Sequence, residues 1–319
     1  MRLLVTGGSG FVGSAVLERF SRSASCSAVA AVRESSSKLP PRAIPFSISG
    51  LTPEQDWRAG LEGTDAVVHL AARVHVMHDT ASDPLAAFRH ANVEGTLHLA
   101  RQAAAAGVKR FVFVSSIKVN GEQTLPGAPF RPDDAPAPVD PYGVSKLEAE
   151  QGLRRLAIET GLEIVVIRPP LVYGPGVKAN FLRMMTWLQR GYPLPLGSIH
   201  NRRSLVALEN LVDLIETCVH HPAAAQQTFL VSDGEDVSTT ALLQRVAAAL
   251  GRPARLLPVP AGLLRAAAKA LGKAEVAQRL CGSLQVDIAQ TQARLGWQPV
   301  VTLDEALAGT ARHFLKQAQ

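Results

Sequence analysis

Short apolar runs alternate with longer amphipathic stretches along the first half of the chain. The apolar runs predict six strands, at residues 2–5, 27–32, 43–48, 66–70, 110–114 and 163–167. The amphipathic stretches predict helices at residues 14–20, 84–106 and 142–160. Gly107 and Gly161 follow the last two, at the position where glycine commonly ends a helix. Strands that alternate with helices predict an α/β fold whose parallel sheet is covered on both faces.

The pattern loosens after Arg168. It predicts one more strand, at residues 227–231, and helices at residues 181–190, 209–220, 239–250 and from 303 onward. Ser238 and Thr302 stand at the cap positions of the last two helices. We therefore predict a sheet domain over residues 1–170, with some later segments crossing back to it, and a smaller mixed lobe over residues 171–319. A proline-rich stretch at residues 126–141 is long enough to suggest a functional loop.

A glycine turn joins the first strand to the first helix. Gly7 suits a tight turn, Gly10 lets the backbone approach a pyrophosphate, and Gly13 allows the helix to lie against the strand. The helix N-terminus then offers unpaired N–H groups to phosphate oxygens. This order of strand, turn and helix predicts a dinucleotide site, although a glycine-rich turn without a ligand is the simpler alternative.

Composition and charge indicate which class of protein this is and which ligands it binds. The 319 residues are 47% hydrophobic and 19% charged, which is typical of a globular enzyme. The net charge of +6 comes from scattered basic residues, so we expect anionic small molecules as ligands and neither nucleic acid nor membrane. Cys26, Cys218 and Cys281 lack metal-site spacing, and we expect free thiols and no metal. Because no long apolar span is present and the chain starts with a strand, we expect a cytoplasmic protein.

Tyr142 and Lys146 lie four residues apart at the start of a predicted helix and therefore on one face. We expect a nearby ammonium to lower the pKa of the tyrosine, which would then exchange a proton with a hydroxyl or ketone. Ser115 and Ser116 end the fifth strand, at the sheet edge where ligands bind in open α/β folds. A chance pair on a solvated helix and a serine turn cap are the alternatives.

These features together resemble the extended short-chain dehydrogenase/reductase superfamily, and most of all its nucleotide-sugar branch, the relatives of UDP-galactose 4-epimerase. The resemblance runs from the first strand to residues 295–299. The residues that carry it are Thr6, Gly7, Gly10, Gly13, Asp65, His69, Leu70, Ala71, Ala72, Asn92, Ser115, Ser116, Tyr142, Lys146, Arg168 and Pro169.

The resemblance implies a Rossmann-type doubly wound sheet and a C-terminal nucleotide-sugar lobe. It implies that Ser116 and Tyr142 are catalytic and bond the reacting sugar oxygen, and that Lys146 holds the nicotinamide ribose. It also implies a homodimer built as a helix bundle from residues 84–106 and 142–160. The implied cofactor-binding residues are Gly7, Gly10, Phe11, Val12, Gly13, Leu70, Ala71, Ala72, Asn92, Tyr142, Lys146 and Pro169.

Arg33 ends the second strand, where dinucleotide folds that use NAD commonly place an acidic residue. A guanidinium matches the 2′-phosphate of NADP(H) in charge and geometry, so this cofactor is favoured. NAD(H) stays open as the alternative because Glu34 follows directly.

The resemblance also implies a UDP-sugar substrate. Asn180 and Arg203 correspond to residues that bind the diphosphate, Arg279 is a stand-in for a second arginine, and Leu194 starts a segment that offers backbone groups to uracil. Arg73 is expected to contact the diphosphate or the sugar. His75 and His78 are expected to flank the sugar rather than bind zinc, which needs more ligands.

The hypothesis that the sequence favours is an NADP(H)-dependent reductase of the C4 ketone of a UDP-4-keto-6-deoxy-hexosamine, used in surface-polysaccharide (lipopolysaccharide) synthesis. The alternative is a UDP-glucose or UDP-N-acetylglucosamine 4-epimerase with tightly bound NAD, and a non-catalytic cofactor module is a distant third. A 4,6-dehydratase is disfavoured because Ile117 and Lys118 stand where family dehydratases place an acid and a base.

Overall fold

The structure is a computed structural model that describes residues 1–33, 39–74, 83–125 and 127–317. Seven parallel strands form one sheet in the order β3-β2-β1-β4-β5-β6-β9. They are β1 (Arg2–Thr6), β2 (Ser27–Val32), β3 (Ile44–Ser47), β4 (Ala66–His69), β5 (Arg110–Val114), β6 (Glu163–Arg168) and β9 (Thr228–Leu230). The doubly wound parallel sheet predicted from the sequence is confirmed.

Three further strands form a small mixed sheet in the order β10-β8-β7. They are β7 (Leu171–Tyr173), β8 (Arg203–Ala207) and β10 (Asp236–Val237). The sequence analysis missed this sheet, of which β7 and β10 have only three and two residues, too short for a period-2 pattern to stand out. Because β9 pairs with β6, the chain returns to the large sheet after leaving it. A domain boundary at residue 170 stays a prediction.

Twelve α-helices surround these sheets within the described residues. They are α1 (Phe11–Ser21), α2 (Arg58–Leu61), α3 (Pro84–Arg89), α4 (Thr96–Ala105), α5 (Pro141–Thr160), α6 (Ala179–Gln189), α7 (Leu208–His220), α8 (Thr239–Ala249), α9 (Ala261–Ala270), α10 (Ala274–Cys281), α11 (Ala289–Leu295) and α12 (Leu303–Gln317). Helices α2, α9, α10 and α11 were not predicted. None of the helices in the described ranges is both long and apolar enough to cross a bilayer.

The core lies on both faces of the large sheet because successive strand residues point to opposite sides. In β1, Leu3 and Val5 join one buried cluster, which includes residues of α1 and α7. Leu4 joins the other, which includes residues of α4 and α5. Both faces of the strand are thus apolar, as a sheet covered on two sides requires.

The helix predicted over residues 84–106 is interrupted. A π-helical segment, His90–Gly95, separates α3 from α4. Gly95 lies against the preceding chain, since a Cβ there would come within 2.7 Å of the Leu51 carbonyl oxygen. Periodicity alone could not show this, because a π turn changes the helical phase without changing the residue types.

Helix α5 begins one residue earlier than predicted, at Pro141. The Asp140 carboxylate accepts a hydrogen bond of 2.7 Å from the Gly143 N–H, and proline at the first helical position lacks a donor that would need a partner. Gly161 ends the helix in the left-handed region, with φ of 75°. The start of α5 is therefore fixed directly beside Tyr142.

Candidate active site

The glycine turn forms a close-packed cradle at the start of α1. Gly7 has φ of 69°, and its carbonyl oxygen accepts a hydrogen bond of 2.9 Å from the Gly10 N–H. A Cβ on Gly13 would lie 2.0 Å from that same oxygen. Helix α1 has no side-chain cap and no acidic residue in its first turn within the described residues. The cradle therefore offers backbone N–H groups and a positive helix end to an anion.

A recess of about 590 Å³ starts at this turn but does not reach the sheet edge. Gly10 and Phe11 line one end, and Leu208 and Val212 of α7 line its far wall. Its lining does not include Tyr142, so it is a separate groove along the outer side of α1.

Thr6 and His69 are register partners at the ends of adjacent strands β1 and β4. The Thr6 hydroxyl oxygen accepts bonds from the Leu70 and Ala71 N–H groups, at 3.2 and 3.1 Å, so its own proton is free to bond His69 Nδ1 at 2.7 Å. Nε2 of the ring then donates to Thr96 Oγ1 at 2.9 Å. Burial, with a smaller effect of the Lys146 ammonium, lowers the pKa of His69 to about 3, so the ring stays neutral.

Sequence reasoning used His69 only as a mark of the family and missed this role. The available signal was positional, because threonine and histidine end two strands that become neighbours. Through Thr6 the ring fixes the backbone of residues 70–72, of which Leu70, Ala71 and Ala72 are half-buried beside the glycine turn.

Lys146 is buried, with 1% of its surface exposed, and its ammonium lies 4.0 Å from the centre of the Phe113 ring. Burial lowers the pKa of Lys146 to about 7, and the carboxylate of Glu150 opposes that shift. The lysine can therefore change its charge near neutral pH.

Burial raises the pKa of Tyr142 to about 12, and the neighbouring Asp140 carboxylate acts in the same direction. We expected Lys146 to lower this pKa, and that expectation is wrong for the protein alone. Desolvation of the phenolate has the largest effect because the ring is enclosed near Phe88, whose ring centre is 6.2 Å away.

The two serines at the end of β5 have different environments. Ser115 is buried and donates a 2.6 Å bond to Glu150 Oε1. Ser116 is half-buried, and its Oγ accepts a 3.3 Å bond from the Lys118 N–H, which leaves its hydroxyl proton unused by that contact. Of the pair, Ser116 is the one whose hydroxyl can still donate.

Behind Ser115 lies a buried ion pair. Arg168 makes two bonds to the Glu150 carboxylate, at 2.6 and 3.0 Å, and neither side chain is more than 3% exposed. Arg168 also donates to Asn120 Oδ1 at 3.0 Å. The Pro169 carbonyl that follows accepts a bond of 3.0 Å from the Ile117 N–H. These contacts tie β5, α5 and β6 together at the sheet edge.

Asn92 is buried at the centre of the π-helical segment. Its side-chain oxygen accepts a bond of 2.7 Å from the Arg73 N–H, and its amide nitrogen donates to the Arg73 carbonyl at 3.0 Å and to Ser145 Oγ at 3.0 Å. In the structure its amide holds the backbone of Arg73 against α5. The cofactor contact that the resemblance implies for Asn92 stays a prediction.

The Arg73 guanidinium lies over the Phe88 ring, 5.6 Å from its centre. Because Phe88 also contacts Tyr142, Arg73 is brought to the side of the candidate catalytic pair. His75 and His78 lie outside the described residues.

In the smaller lobe, Arg203 bridges β8 to the end of α10. Its Nη1 donates to the carbonyls of Arg279 and Gly282, at 2.9 and 3.2 Å, and burial lowers its pKa. Arg279 is exposed and pairs with Glu275 at 3.1 Å. The structure therefore brings the two predicted arginines together. Asn180 is exposed in the first turn of α6, and no described contact joins it to them.

The segment that starts at Leu194 has its backbone N–H groups already bonded within the protein. Its N–H donates to the Arg255 carbonyl at 2.9 Å, that of Leu196 to the Leu194 carbonyl, and that of Gly197 to the Leu257 carbonyl. Residue 195 is a proline, so of these four described residues none has an N–H left for uracil. Only carbonyl oxygens of this segment remain as acceptors.

At the far end of the glycine turn, Arg33 is exposed directly after β2, which pairs with β1. Phe11 and Val12 are half-buried in the first turn of α1. Glu34, the acidic residue that follows Arg33, lies outside the described residues.

The sequence of this protein is similar to those of known proteins. The sequence profile of the NAD dependent epimerase/dehydratase family matches residues 3–232. A UDP-glucose 4-epimerase of Vibrio cholerae is 48% identical, over 98% of this chain and 95% of its own length.

Two solved structures share the fold. A UDP-glucuronic acid 4-epimerase from Bacillus cereus in complex with NAD superposes with a TM-score of 0.80 at 19% identity, and 99% of this chain and 97% of that chain are covered. MoeE5 in complex with UDP-glucuronic acid and NAD superposes with a TM-score of 0.77 at 25% identity, with both chains covered in full.

Proposed function

Because the chain belongs to the NAD dependent epimerase/dehydratase family, we propose that it is a UDP-hexose 4-epimerase of the UDP-glucose type. The observation that carries the proposal is the 48% identity to a UDP-glucose 4-epimerase over nearly the whole of both chains. This reverses the order of our two sequence-based hypotheses, in which the 4-keto reductase came first.

The glycine cradle fits a dinucleotide. A Cβ on Gly13 would collide with the Gly7 carbonyl, so the tight turn needs both glycines, and the first-turn N–H groups of α1 face outward for a pyrophosphate. When bound, NAD supplies the hydride acceptor and donor for C4 of the sugar. We propose that it is held by Gly7, Gly10, Phe11, Val12, Gly13, Leu70, Ala71, Ala72, Lys146 and Pro169.

Tyr142 then exchanges the proton of the C4 hydroxyl, assisted by a hydrogen bond from Ser116. The high pKa of Tyr142 suits the return step, since a protonated phenol is needed to convert an alkoxide to a hydroxyl. Lys146, whose pKa is near 7, supplies adjacent positive charge that favours the phenolate in the opposite step. One tyrosine can therefore act as base and acid in turn, as an epimerisation requires.

The environment of Ser116 does not suit a dehydratase. Ile117 is buried and carries no proton-transferring group. The Lys118 ammonium is paired with the Asp140 and Glu122 carboxylates. Neither side chain supplies the acid and base pair that removal of water from the sugar needs.

In the smaller lobe we propose Arg203 and Arg279 for the diphosphate, with Asn180 beside it and Arg73 toward the sugar. The Arg203 guanidinium bonds the backbone carbonyl of Arg279 at the end of α10, and two cations from neighbouring residues match the double charge of a diphosphate in electrostatic terms.

We also propose that two copies pair through α4 and α5. These helices pack closely, since a Cβ on Gly152 would lie 2.7 Å from Leu97, and Ile158 on α5 is 88% exposed. In light scattering, Ile158→Asp should convert a dimer to a monomer, and an unchanged mass would remove α5 from the interface.

One observation favours the 4-keto reductase as a second candidate. Arg33 is exposed after β2 with a charge that suits a 2′-phosphate, and a reductase exchanges its cofactor at each turnover.

Two assays separate the candidates. The first supplies UDP-glucose or UDP-N-acetylglucosamine without added reductant, and the second supplies a 4-keto-6-deoxy sugar nucleotide with NADPH. We expect 4-epimers in the first assay and release of NAD from the denatured protein. NADPH consumption in the second assay without epimer formation in the first would overturn the proposal, and Tyr142→Phe is the matched inactive control.

A further inference from the structure

Helices α9 and α10 form a hairpin at the surface of the smaller lobe. We call residues 252–280 the basic hairpin. None of the ten residues of α9, all of them described, is buried. Leu271, Leu263 and Leu257 are 73%, 63% and 50% exposed, and on α10 Val276 and Leu280 are 50% and 37% exposed. Single exposed leucines are ordinary, but five large apolar side chains within one short hairpin make a patch that needs a function.

The exposed leucines share one side of α9. At 100° per residue, Leu263, Ala267 and Leu271 lie within one narrow sector of the helix, and all three are exposed. Leu264 and Ala268, which are half-buried, lie in the next sector and face the protein. Helix α9 therefore has an exposed apolar face as well as the apolar face that packs against the protein.

Cations lie on the opposite side of α9 from this face. Arg265 and Lys269 are each two residues from Ala267 and so lie about 160° around the helix from the centre of the face. Lys273 joins the two helices, and all three are exposed. The basic hairpin carries six Lys and Arg residues and a single acid, Glu275. The whole chain has 33 Lys and Arg against 27 Asp and Glu, so 27 cations and 26 acids remain elsewhere. The positive charge that the sequence analysis treated as scattered is thus almost entirely concentrated in this hairpin.

We propose that the basic hairpin docks the protein on the surface of a membrane that contains anionic lipids. An amphipathic helix with leucines on one face and Lys and Arg on the other lies in the plane of a bilayer interface, with its apolar face among the acyl chains. Long basic side chains reach the lipid phosphates from that position. Neither helix spans the bilayer in this arrangement.

The positive charge of the basic hairpin distinguishes among the partners that could bind its exposed apolar face. A second copy of the hairpin would bring two surfaces of net charge +5 together, because six cations face one acid in each. The apolar face presents only side chains without hydrogen-bonding groups, which suits acyl chains better than the polar uracil and sugar of a substrate. An acidic protein is the remaining rival, and the test separates it.

The experiment is co-sedimentation of the full chain with vesicles of phosphatidylcholine alone and of equal parts phosphatidylcholine and phosphatidylglycerol. We expect binding to the mixed vesicles only, and weakening as salt is raised. Lys269→Gln combined with Lys273→Gln should weaken binding about fivefold for each cation removed. Leu263→Gln combined with Leu271→Gln should weaken it at least as much.

Leu125→Gln and Arg22→Gln, which change exposed residues elsewhere, serve as matched controls and should bind as the wild type does. All of these variants should keep wild-type sugar-nucleotide turnover without vesicles, because none of these residues belongs to the candidate site. Equal binding to neutral vesicles, no binding to mixed vesicles, or binding unaffected by either double variant would each overturn the proposal. So would a leucine-dependent dimer in solution.

Discussion

At the carboxyl edge of the large sheet, several side chains of the candidate site are fully buried and a hydrogen-bonded network lies behind them, whereas in the smaller lobe the site side chains are exposed or bonded to backbone. Lys146 and Asn92 are each 1% exposed, and Glu150 and Arg168 form a closed pair behind them. Asn180 and Arg279 face outward, and Arg203 is held by two carbonyls.

The difference separates two tasks. Proton and hydride transfer need groups fixed to within a fraction of an ångström, and buried hydrogen-bond networks provide that rigidity. A flexible, doubly charged substrate can instead be gathered by long cationic side chains that move. If this interpretation holds, changes at the sheet edge should cost rate or fold, and changes in the smaller lobe should cost affinity.

The largest effect is expected from Tyr142→Phe. Loss of the phenolic proton should reduce kcat about 10²–10⁴-fold while the ring contact with Phe88 and the melting temperature stay nearly unchanged. Steady-state kinetics with UDP-glucose measures this, and Tyr192→Phe on an exposed tyrosine is the matched control. A Tyr142→Phe variant with a near-normal rate would remove the tyrosine from the chemistry.

Glu150→Gln tests the buried network at the sheet edge through its effect on the free energy of unfolding. It breaks an ion pair of which both side chains are buried, so unfolding should cost about 3–5 kcal/mol less. Glu148→Gln, two residues away, breaks a surface pair with Arg89 and should cost no more than about 1 kcal/mol. Chemical denaturation gives both values, and equal losses would show that burial does not distinguish the pairs.

Lys146→Met tests how much stability the protein loses by burying this lysine. The native pKa of Lys146, about 7, lies below the ordinary 10.5, so between these pH values the unfolded chain binds more protons and wild-type stability rises with pH. The variant should therefore be more stable at pH 7, and its advantage should shrink by about 1.4 kcal/mol per pH unit up to pH 10. Denaturation curves across this range test the slope, with exposed Lys109→Met as control. A pH-independent difference would contradict the assignment.

Arg203→Met should have the smallest effect, and it should change substrate affinity rather than rate or stability. A lost charge-assisted bond to the diphosphate should raise KM about tenfold or more and leave kcat within about threefold. The neighbouring exposed Arg202→Met should leave both constants unchanged. A fall in kcat with constant KM would place Arg203 with the rigid group and break the comparison.

Sequence patterns predicted the sheet edge better than the smaller lobe, and the reason is physical. Strands β1, β2, β4, β5 and β6 are mostly buried apolar runs between turns. Tyr142 and Lys146 lie on one helix, so spacing alone brings them together. The contacts that fix them are not local: Asn92 bonds Ser145 across 53 residues, and Arg168 bonds Glu150 from another element. Only the fold could reveal these partners.

The charge state of the site could not be predicted from the sequence either. Spacing predicted that Lys146 would lower the pKa of Tyr142, but burial determines the direction and depends on everything packed around the ring. The same limit applied to Leu194, whose N–H is taken by Arg255, a residue 61 positions away.

The π-helical segment, His90–Gly95, has a consequence for how this protein tolerates insertions and deletions. A π turn accommodates one residue more than an α turn within about the same rotation, so removing one residue there would restore a regular helix and shift the side chains of the segment itself. Asn92 would then no longer reach both Arg73 and Ser145. The length of this six-residue segment should therefore be much harder to change than its exposed side chains.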